Sequence, residues 1–125
     1  MKNLRVLLID DEEELVATMQ ERLELRGIKA EAVTTGHHGL ERIQQSPFDV
    51  VVVDLKMPGL GGVEVVETIR RVQPQVNVLL ITGHGSGHGE LDELANRGYK
   101  ILLKPFRIER LIAMICEVAD EEGPD

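Results

Sequence analysis

Carboxylates follow two of the apolar stretches of this chain, at points where they could act together. Asp10 and Asp11 come directly after the stretch Leu4–Ile9, and Asp54 closes the stretch Phe48–Asp54. Because open parallel sheets bind their ligands at the carboxyl ends of the strands, we expect these carboxylates to lie at one edge of a sheet. Three such charges repel one another unless a cation lies among them, and carboxylate oxygens suit Mg²⁺. The pattern therefore predicts a Mg²⁺ site formed by Asp10, Asp11 and Asp54.

A hydroxyl group and an ammonium group follow two further predicted strands. Val76–Ile81 is followed by Thr82, and Ile101–Leu103 is followed by Lys104. A metal ion, an ammonium group and hydrogen-bond donors together neutralise the oxygens of a transferring phosphoryl group, and a carboxylate can be the nucleophile. Any one of these residues alone is more simply explained as a strand-end residue or a helix cap. Four such strand ends together favour phosphoryl transfer.

The pattern of the whole chain predicts the elements that would position these side chains. Helical periodicity covers Glu12–Arg26, a weak strand pattern covers Lys29–Thr34, and a short helix covers Gly39–Gln45. Three more helices carry apolar residues at helical spacing: Val63, Val66 and Ile69; Leu91, Leu94 and Ala95; and Ile108, Leu111, Ile112 and Ile115. Five strand-helix repeats predict an α/β fold, a doubly wound (βα)5 domain with a parallel sheet covered on both faces. We expect this domain to span residues 1–119, followed by an acidic tail or linker at 120–125.

Composition limits the class of protein. The 125 residues fit one domain, and the hydrophobic content of 42% with only three aromatic residues predicts an aliphatic core. A net charge of −8 argues against direct binding of nucleic acid, which requires Lys and Arg opposite the phosphates. Neither a signal peptide nor a membrane-spanning apolar stretch is found, so we expect a cytoplasmic protein without a membrane partner. The single Cys116 excludes an internal disulfide and is expected to be a small buried apolar residue.

Two motifs resemble those of receiver domains of two-component response regulators: Leu55-Lys56-Met57-Pro58-Gly59 and Leu103-Lys104-Pro105-Phe106. The resemblance covers the chain from Lys2 to about Ala119 and implies a flavodoxin-like fold. The segment Ile81-Thr82-Gly83-His84-Gly85 is most similar to receivers of the nitrogen-regulation and nitrogen-fixation type.

The resemblance implies a role for each residue at the predicted site. Asp54 would accept a phosphoryl group from a histidine kinase or a phosphotransfer protein, and Thr82 and Lys104 would bind that group. Asp11 would contact Mg²⁺ directly, Asp10 mostly through water, and the backbone carbonyl of Lys56 would be a further ligand. Such a domain is a signalling switch that promotes its own phosphorylation and dephosphorylation. It would signal through the surface formed by the fourth helix, fifth strand and fifth helix, to an output domain or through a homodimer.

One position departs from the family pattern. Receivers usually carry Tyr or Phe three residues before the lysine, and this switch side chain turns inward when the threonine moves; here the position holds Ile101. Tyr99 lies on the same face of the strand and could take over part of the role. We expect a smaller side-chain switch than in other receivers. The glycines from Gly83 to Gly89 favour instead an ordering of the segment Gly83–Arg97 on phosphorylation.

Two local features also give predictions. We expect the Lys104-Pro105 bond to be cis, because X-Pro bonds adopt this isomer at a small energetic cost and, in the receivers that the chain resembles, this turn directs the lysine toward the acidic residues. The acids Glu12–Glu14 are expected to occupy the first turn of a helix, where the helix dipole favours negative charge, rather than to bind metal.

Two other functions remain open from the sequence. A haloacid-dehalogenase phosphatase also forms an aspartyl-phosphate, but it would require an Asp-x-Asp motif on the first strand, whereas Asp10 and Asp11 are adjacent. Such a phosphatase usually also has a cap domain, and no residues are left to build one. A receiver-like interaction domain without phosphorylation is the second alternative. The joint presence of Asp10, Asp11, Asp54, Thr82 and Lys104 argues against it.

Overall fold

The parallel sheet expected from the sequence is present in the computed structural model, which describes residues 3–83 and 88–120. Its strands are β1 (Arg5–Ile9), β2 (Lys29–Val33), β3 (Val50–Asp54), β4 (Asn77–Thr82) and β5 (Lys100–Leu103). The strand order is β2-β1-β3-β4-β5, and each neighbouring pair is parallel. The central strand β3 is buried along its whole length, as its run of β-branched residues predicts.

Helices cover both faces of this sheet. They are α1 (Glu13–Leu25), α2 (Gly36–Gln45), α3 (Gly62–Val72), α4 (His88–Asn96) and α5 (Ile108–Ala119). The apolar sides of α1 and α5 pack on one face of the sheet. Those of α2, α3 and α4 pack on the other face. Since each crossover carries a helix, all five strands end at the same edge, and the predicted doubly wound α/β fold is confirmed.

The second helix begins three residues earlier than the sequence predicts. The hydroxyl oxygen of Thr35 accepts a hydrogen bond from the His38 backbone N–H at 3.1 Å and caps the helix. Gly36 and Gly39 are buried, and a Cβ on Gly39 would lie 2.4 Å from the Ile9 side chain. The two glycines thus allow α2 to pack closely against its neighbours, and they do not interrupt the helix.

The fourth helix starts inside the glycine-rich segment, at His88. The predicted ordering of residues 83–97 therefore concerns a region whose residues 84–87 lie outside the described part of the chain, as does most of the tail predicted at 120–125. None of the helices in residues 3–83 and 88–120 is both long and apolar enough to cross a bilayer.

Candidate phosphoacceptor site

The carboxyl ends of the strands place the site at one edge of the sheet. Asp10 follows β1, Asp54 is the last residue of β3, and Thr82 is the last residue of β4. Strand register keeps them level, because Ile9 pairs with Val53, Asp54 with Ile81, and Thr82 with Leu103. All three side chains are buried, although each is polar or charged.

Three carboxylates converge at this edge. The ligand oxygens of Asp10, Glu12 and Asp54 lie within 4.8 Å of one another. Asp10 and Asp54 are buried, whereas the side chain of Glu12 is 57% exposed. The cluster therefore has two buried carboxylates and one at its entrance.

Lys104 supplies the positive charge of the cluster. Its Nζ lies 2.8 Å from Glu12 Oε1, 3.1 Å from Asp10 Oδ2 and 3.1 Å from Asp54 Oδ2. The peptide bond from Lys104 to Pro105 is cis. The backbone N–H of Lys104 donates to the Thr82 carbonyl oxygen at 2.7 Å, which extends the β4–β5 pairing beyond the strand ends.

Hydrogen bonds from the backbone fix both buried carboxylates. Asp54 Oδ1 accepts from the Lys56 N–H at 3.0 Å, and Asp10 Oδ1 accepts from the Glu12 N–H at 2.9 Å. Each of these carboxylates thus accepts a hydrogen bond from the N–H two residues along the chain, in the manner of an Asx turn. This arrangement directs the second oxygen of each group toward Lys104.

The cluster contains more negative than positive charge, with three carboxylates around one ammonium group. Burial raises the pKa of Asp10 from 3.8 to about 6; the Glu12 N–H opposes this rise, and the charge of Asp54 adds to it. Burial by itself lowers the pKa of Lys104, but its bonds to Glu12 and Asp10 outweigh this effect and raise the pKa overall. A protonated Lys104 therefore compensates only part of the negative charge.

The donor set fits a hard divalent cation. Apart from its ion pair with Lys104, Asp10 Oδ2 is buried without a hydrogen-bond partner among the described residues. A buried carboxylate oxygen that faces only an ammonium group shared with two other carboxylates is incompletely compensated, and Mg²⁺ is commonly held by one or two carboxylates together with water. Asp10 and Asp54 are thus the buried ligands that such an ion would use.

Two residues occupy positions that differ from those expected from the sequence. The side chain of Asp11 is exposed, and Asp11 does not belong to the carboxylate cluster found among the described residues. Glu12 was expected inside the first helical turn, but it precedes α1 and its side chain makes no capping hydrogen bond. Its carboxylate instead reaches Lys104, a contact across 92 positions that helix periodicity could not reveal.

The candidate switch residues occupy different places on β5. Ile101 is partly buried, pairs with Leu80 of β4 and packs on the face of the sheet that α4 covers. Tyr99 precedes the strand, four positions before the partner of Thr82. Its hydroxyl oxygen accepts a hydrogen bond from Arg70 Nε at 3.0 Å. The structure thus brings Ile101 near the level of the site but holds Tyr99 toward the opposite edge of the sheet.

Two arginines enclose Tyr99. The guanidinium carbon of Arg70 lies 5.5 Å from the centre of the Tyr99 ring, and that of Arg97 lies 5.7 Å from it. Arg70 Nη1 also donates to the carbonyl oxygens of Pro74 and Val76, both at 2.9 Å. Sequence reasoning did not anticipate this cluster, because Arg70 belongs to α3 whereas Arg97 and Tyr99 lie in the connection between α4 and β5.

Comparison with known proteins gives a consistent result. The chain is 29% identical to the transcriptional regulatory protein YkoG of Bacillus subtilis, over 98% of this chain and 54% of that protein. It is 28% identical to an NtrX-like response regulator of Rickettsia typhi, over 94% of this chain and 26% of that protein. The chain thus spans about half or less of the length of these curated relatives.

Solved structures and the family pattern agree with these relatives. A CheY-like response regulator receiver domain protein from Methanospirillum hungatei superposes with a TM-score of 0.86 at 27% identity, covering 95% of each chain. Residues 6–116 match the response regulator receiver domain family. A receiver is a signalling module rather than a conventional enzyme, which removes the haloacid-dehalogenase alternative. The chain therefore belongs to the response regulator receiver domain family.

Proposed function

We propose that this domain is the phosphoacceptor switch of a two-component phosphorelay, with Asp54 as the residue that takes the phosphoryl group. The observation that carries the proposal is the position of the Asp54 carboxylate, which is buried at the sheet edge between the Lys104 ammonium and the Lys56 N–H. Such a group is shielded from bulk water and faces two donors that can neutralise incoming phosphoryl oxygens.

The chemistry is a displacement at phosphorus. An Asp54 oxygen forms the new P–O bond while the bond to the donor, a phosphohistidine nitrogen or an acyl phosphate oxygen, breaks and its electron pair leaves with the donor. Lys104 and the Thr82 hydroxyl then bind phosphoryl oxygens. When bound, Mg²⁺ would offset the charge on those oxygens; Asp10 and Asp54 would hold it, and the family resemblance adds Asp11 and the Lys56 carbonyl.

The partners follow from the same proposal. The donor would be a histidine kinase or a phosphotransfer protein in the cytoplasm. The shares of YkoG and the NtrX-like regulator that this chain leaves uncovered suggest an output domain in a longer protein. The signal would leave through the surface formed by α4, β5 and α5, either to that domain or through a homodimer. Ile101 would give a small side-chain response there.

The proposal is tested by incubating the protein with acetyl phosphate and Mg²⁺ and measuring its intact mass. The parent protein should gain one phosphoryl group, and the gain should disappear with chelator or in Asp54→Asn. Asp49→Asn is a matched control, because Asp49 lies at the other end of β3 and bonds to the Arg5 N–H. An adduct that persists in Asp54→Asn would show that another residue is the acceptor. Absence of any adduct would favour the interaction domain without phosphorylation.

Metal binding and output are tested separately. Mg²⁺ titration should shift the amide signals of Asp10, Asp54 and Lys56 most, and shifts spread over the acidic surface would contradict the site. Beryllofluoride, a phosphoryl mimic, should slow hydrogen exchange in α4 if the signal reaches this helix. Slowing confined to the neighbourhood of Asp54 would show that the output leaves by another route.

A further inference from the structure

The Glu12 carboxylate stands at the entrance of the site and makes no hydrogen bond to its own helix, to which Glu12 contributes through its backbone carbonyl, the acceptor of the Val16 N–H. Glu12 directly precedes α1, and its side chain accepts no capping hydrogen bond from the first turn. Its backbone N–H donates to Asp10 Oδ1. Its carboxylate instead lies 2.8 Å from Lys104 Nζ, closer than either buried carboxylate. The exposed member of the cluster is thus the nearest anion to the lysine.

Lys104 cannot keep all these partners once Asp54 carries a phosphoryl group. Its side chain is only 13% exposed, so new phosphoryl oxygens must replace carboxylates already around the ammonium. Asp10 and Asp54 are fixed by backbone hydrogen bonds and by burial. Glu12 is the exposed partner and the one free to rotate away at the least cost.

We propose that Glu12 is a positioning residue that holds Lys104 before phosphorylation and competes with the phosphoryl group for it. This inference rests on the proposed function of Asp54. Because the ligand oxygens of Glu12 and Asp54 lie within 4.8 Å of each other, Glu12 also places a negative charge beside the incoming anion. Both effects disfavour the phosphorylated state, so Glu12 limits how far that state accumulates.

The surroundings provide room for the exchange. An open cavity of about 430 Å³ adjoins the site and is lined by Glu12, Leu15, Gly83, Lys104, Pro105 and Phe106. A Glu12 side chain released from Lys104 can turn into this space and remain in contact with water. The exchange therefore requires no movement of the sheet.

The proposal is tested with Glu12→Gln, which removes the charge and keeps the length of the side chain. The control is Glu13→Gln, which removes the same charge from the exposed residue that begins α1. At saturating Mg²⁺, Glu12→Gln should bind beryllofluoride roughly three- to tenfold more tightly than the parent, the effect of one unit charge at this distance in a solvated site. Glu13→Gln should change the affinity by less than about twofold, because Glu13 is exposed to screening by solvent and is not part of the carboxylate cluster.

A second measurement follows Lys104 directly in the protein without phosphoryl mimic. The side-chain NMR signal of Lys104 should move in Glu12→Gln and stay in place in Glu13→Gln, a difference that a general effect on α1 would not give. An unmoved signal, or unchanged beryllofluoride affinity in Glu12→Gln, overturns the role of Glu12 while leaving Asp54 as acceptor. Weaker binding overturns it too, because Glu12 would then act as a ligand of the metal. A parent protein that binds no beryllofluoride overturns the proposed function and this inference together.

Discussion

Replacing Asp10 by Asn should stabilise the metal-free protein at neutral pH. Burial raises the pKa of Asp10 from 3.8 to about 6, so the folded state holds the charged carboxylate at a cost. Since one pKa unit corresponds to about 1.4 kcal/mol, this cost is on the order of 3 kcal/mol. Asn retains the acceptor for the Glu12 N–H, and the ion pair with Lys104 that it gives up is already included in this cost, because Lys104 lowers the pKa of Asp10. The net gain should therefore be about 1–3 kcal/mol.

The contribution of Asp10 to the free energy of unfolding should depend on pH. Between about pH 4 and pH 6 the folded protein binds more protons at Asp10 than the unfolded chain, so the free energy of unfolding falls as the pH rises through this range. The advantage of Asp10→Asn should consequently be largest above about pH 6, shrink as the pH falls toward about 4, and vanish at lower pH, where both states of the parent carry a protonated Asp10.

Urea unfolding followed by circular dichroism, with a chelator present, measures this difference. The matched control is Asp11→Asn, because Asp11 is adjacent but exposed and should change stability by less than about 0.5 kcal/mol. An Asp10→Asn variant that is less stable than the parent at about pH 8 would refute the reasoning. Equal gains in the two variants would also refute it, because they would report net charge rather than burial.

Three further outcomes can be checked by unfolding measurements. Mg²⁺ should stabilise the parent protein by mass action and Asp54→Asn much less; equal stabilisation would contradict the metal site. Gly62→Ala should destabilise by about 2 kcal/mol or more, because the new Cβ would lie 2.5 Å from the Asp54 carbonyl oxygen, while Gly61→Ala, with its nearest contact at 3.9 Å, should be nearly neutral. Tyr99→Phe should cost about 1 kcal/mol by removing the acceptor of the Arg70 hydrogen bond, and an unchanged stability would show that this bond contributes nothing.

The fold could be predicted because its signals are local. The run Val50–Val53 is buried on both sides, and the helices show their apolar spacing directly in the sequence. Residues at strand ends, such as Asp54 and Thr82, were placed correctly at one edge, because parallel topology leaves no other arrangement.

The remaining features depend on contacts between distant segments. The Glu12 carboxylate contacts Lys104, which lies 92 positions further along the chain, and no local sequence pattern predicts this contact. The early start of α2 depends on one hydroxyl, that of Thr35. The position of Tyr99 depends on Arg70, which belongs to α3. Periodicity placed Tyr99 on the correct face of the strand but could not provide its partner.

The hydrogen bond from the Lys104 N–H to the Thr82 carbonyl has a consequence for how the domain can diversify. Together with the bond from the Leu55 N–H to the Ile81 carbonyl, it joins the peptide units that carry Asp54, Thr82 and Lys104 into one cross-linked backbone unit. The spacing of these three functional groups is thus tied to the backbone of the sheet. Substitutions on the outer surfaces of α4 and α5 can therefore change which protein is recognised while the chemistry at the sheet edge is preserved.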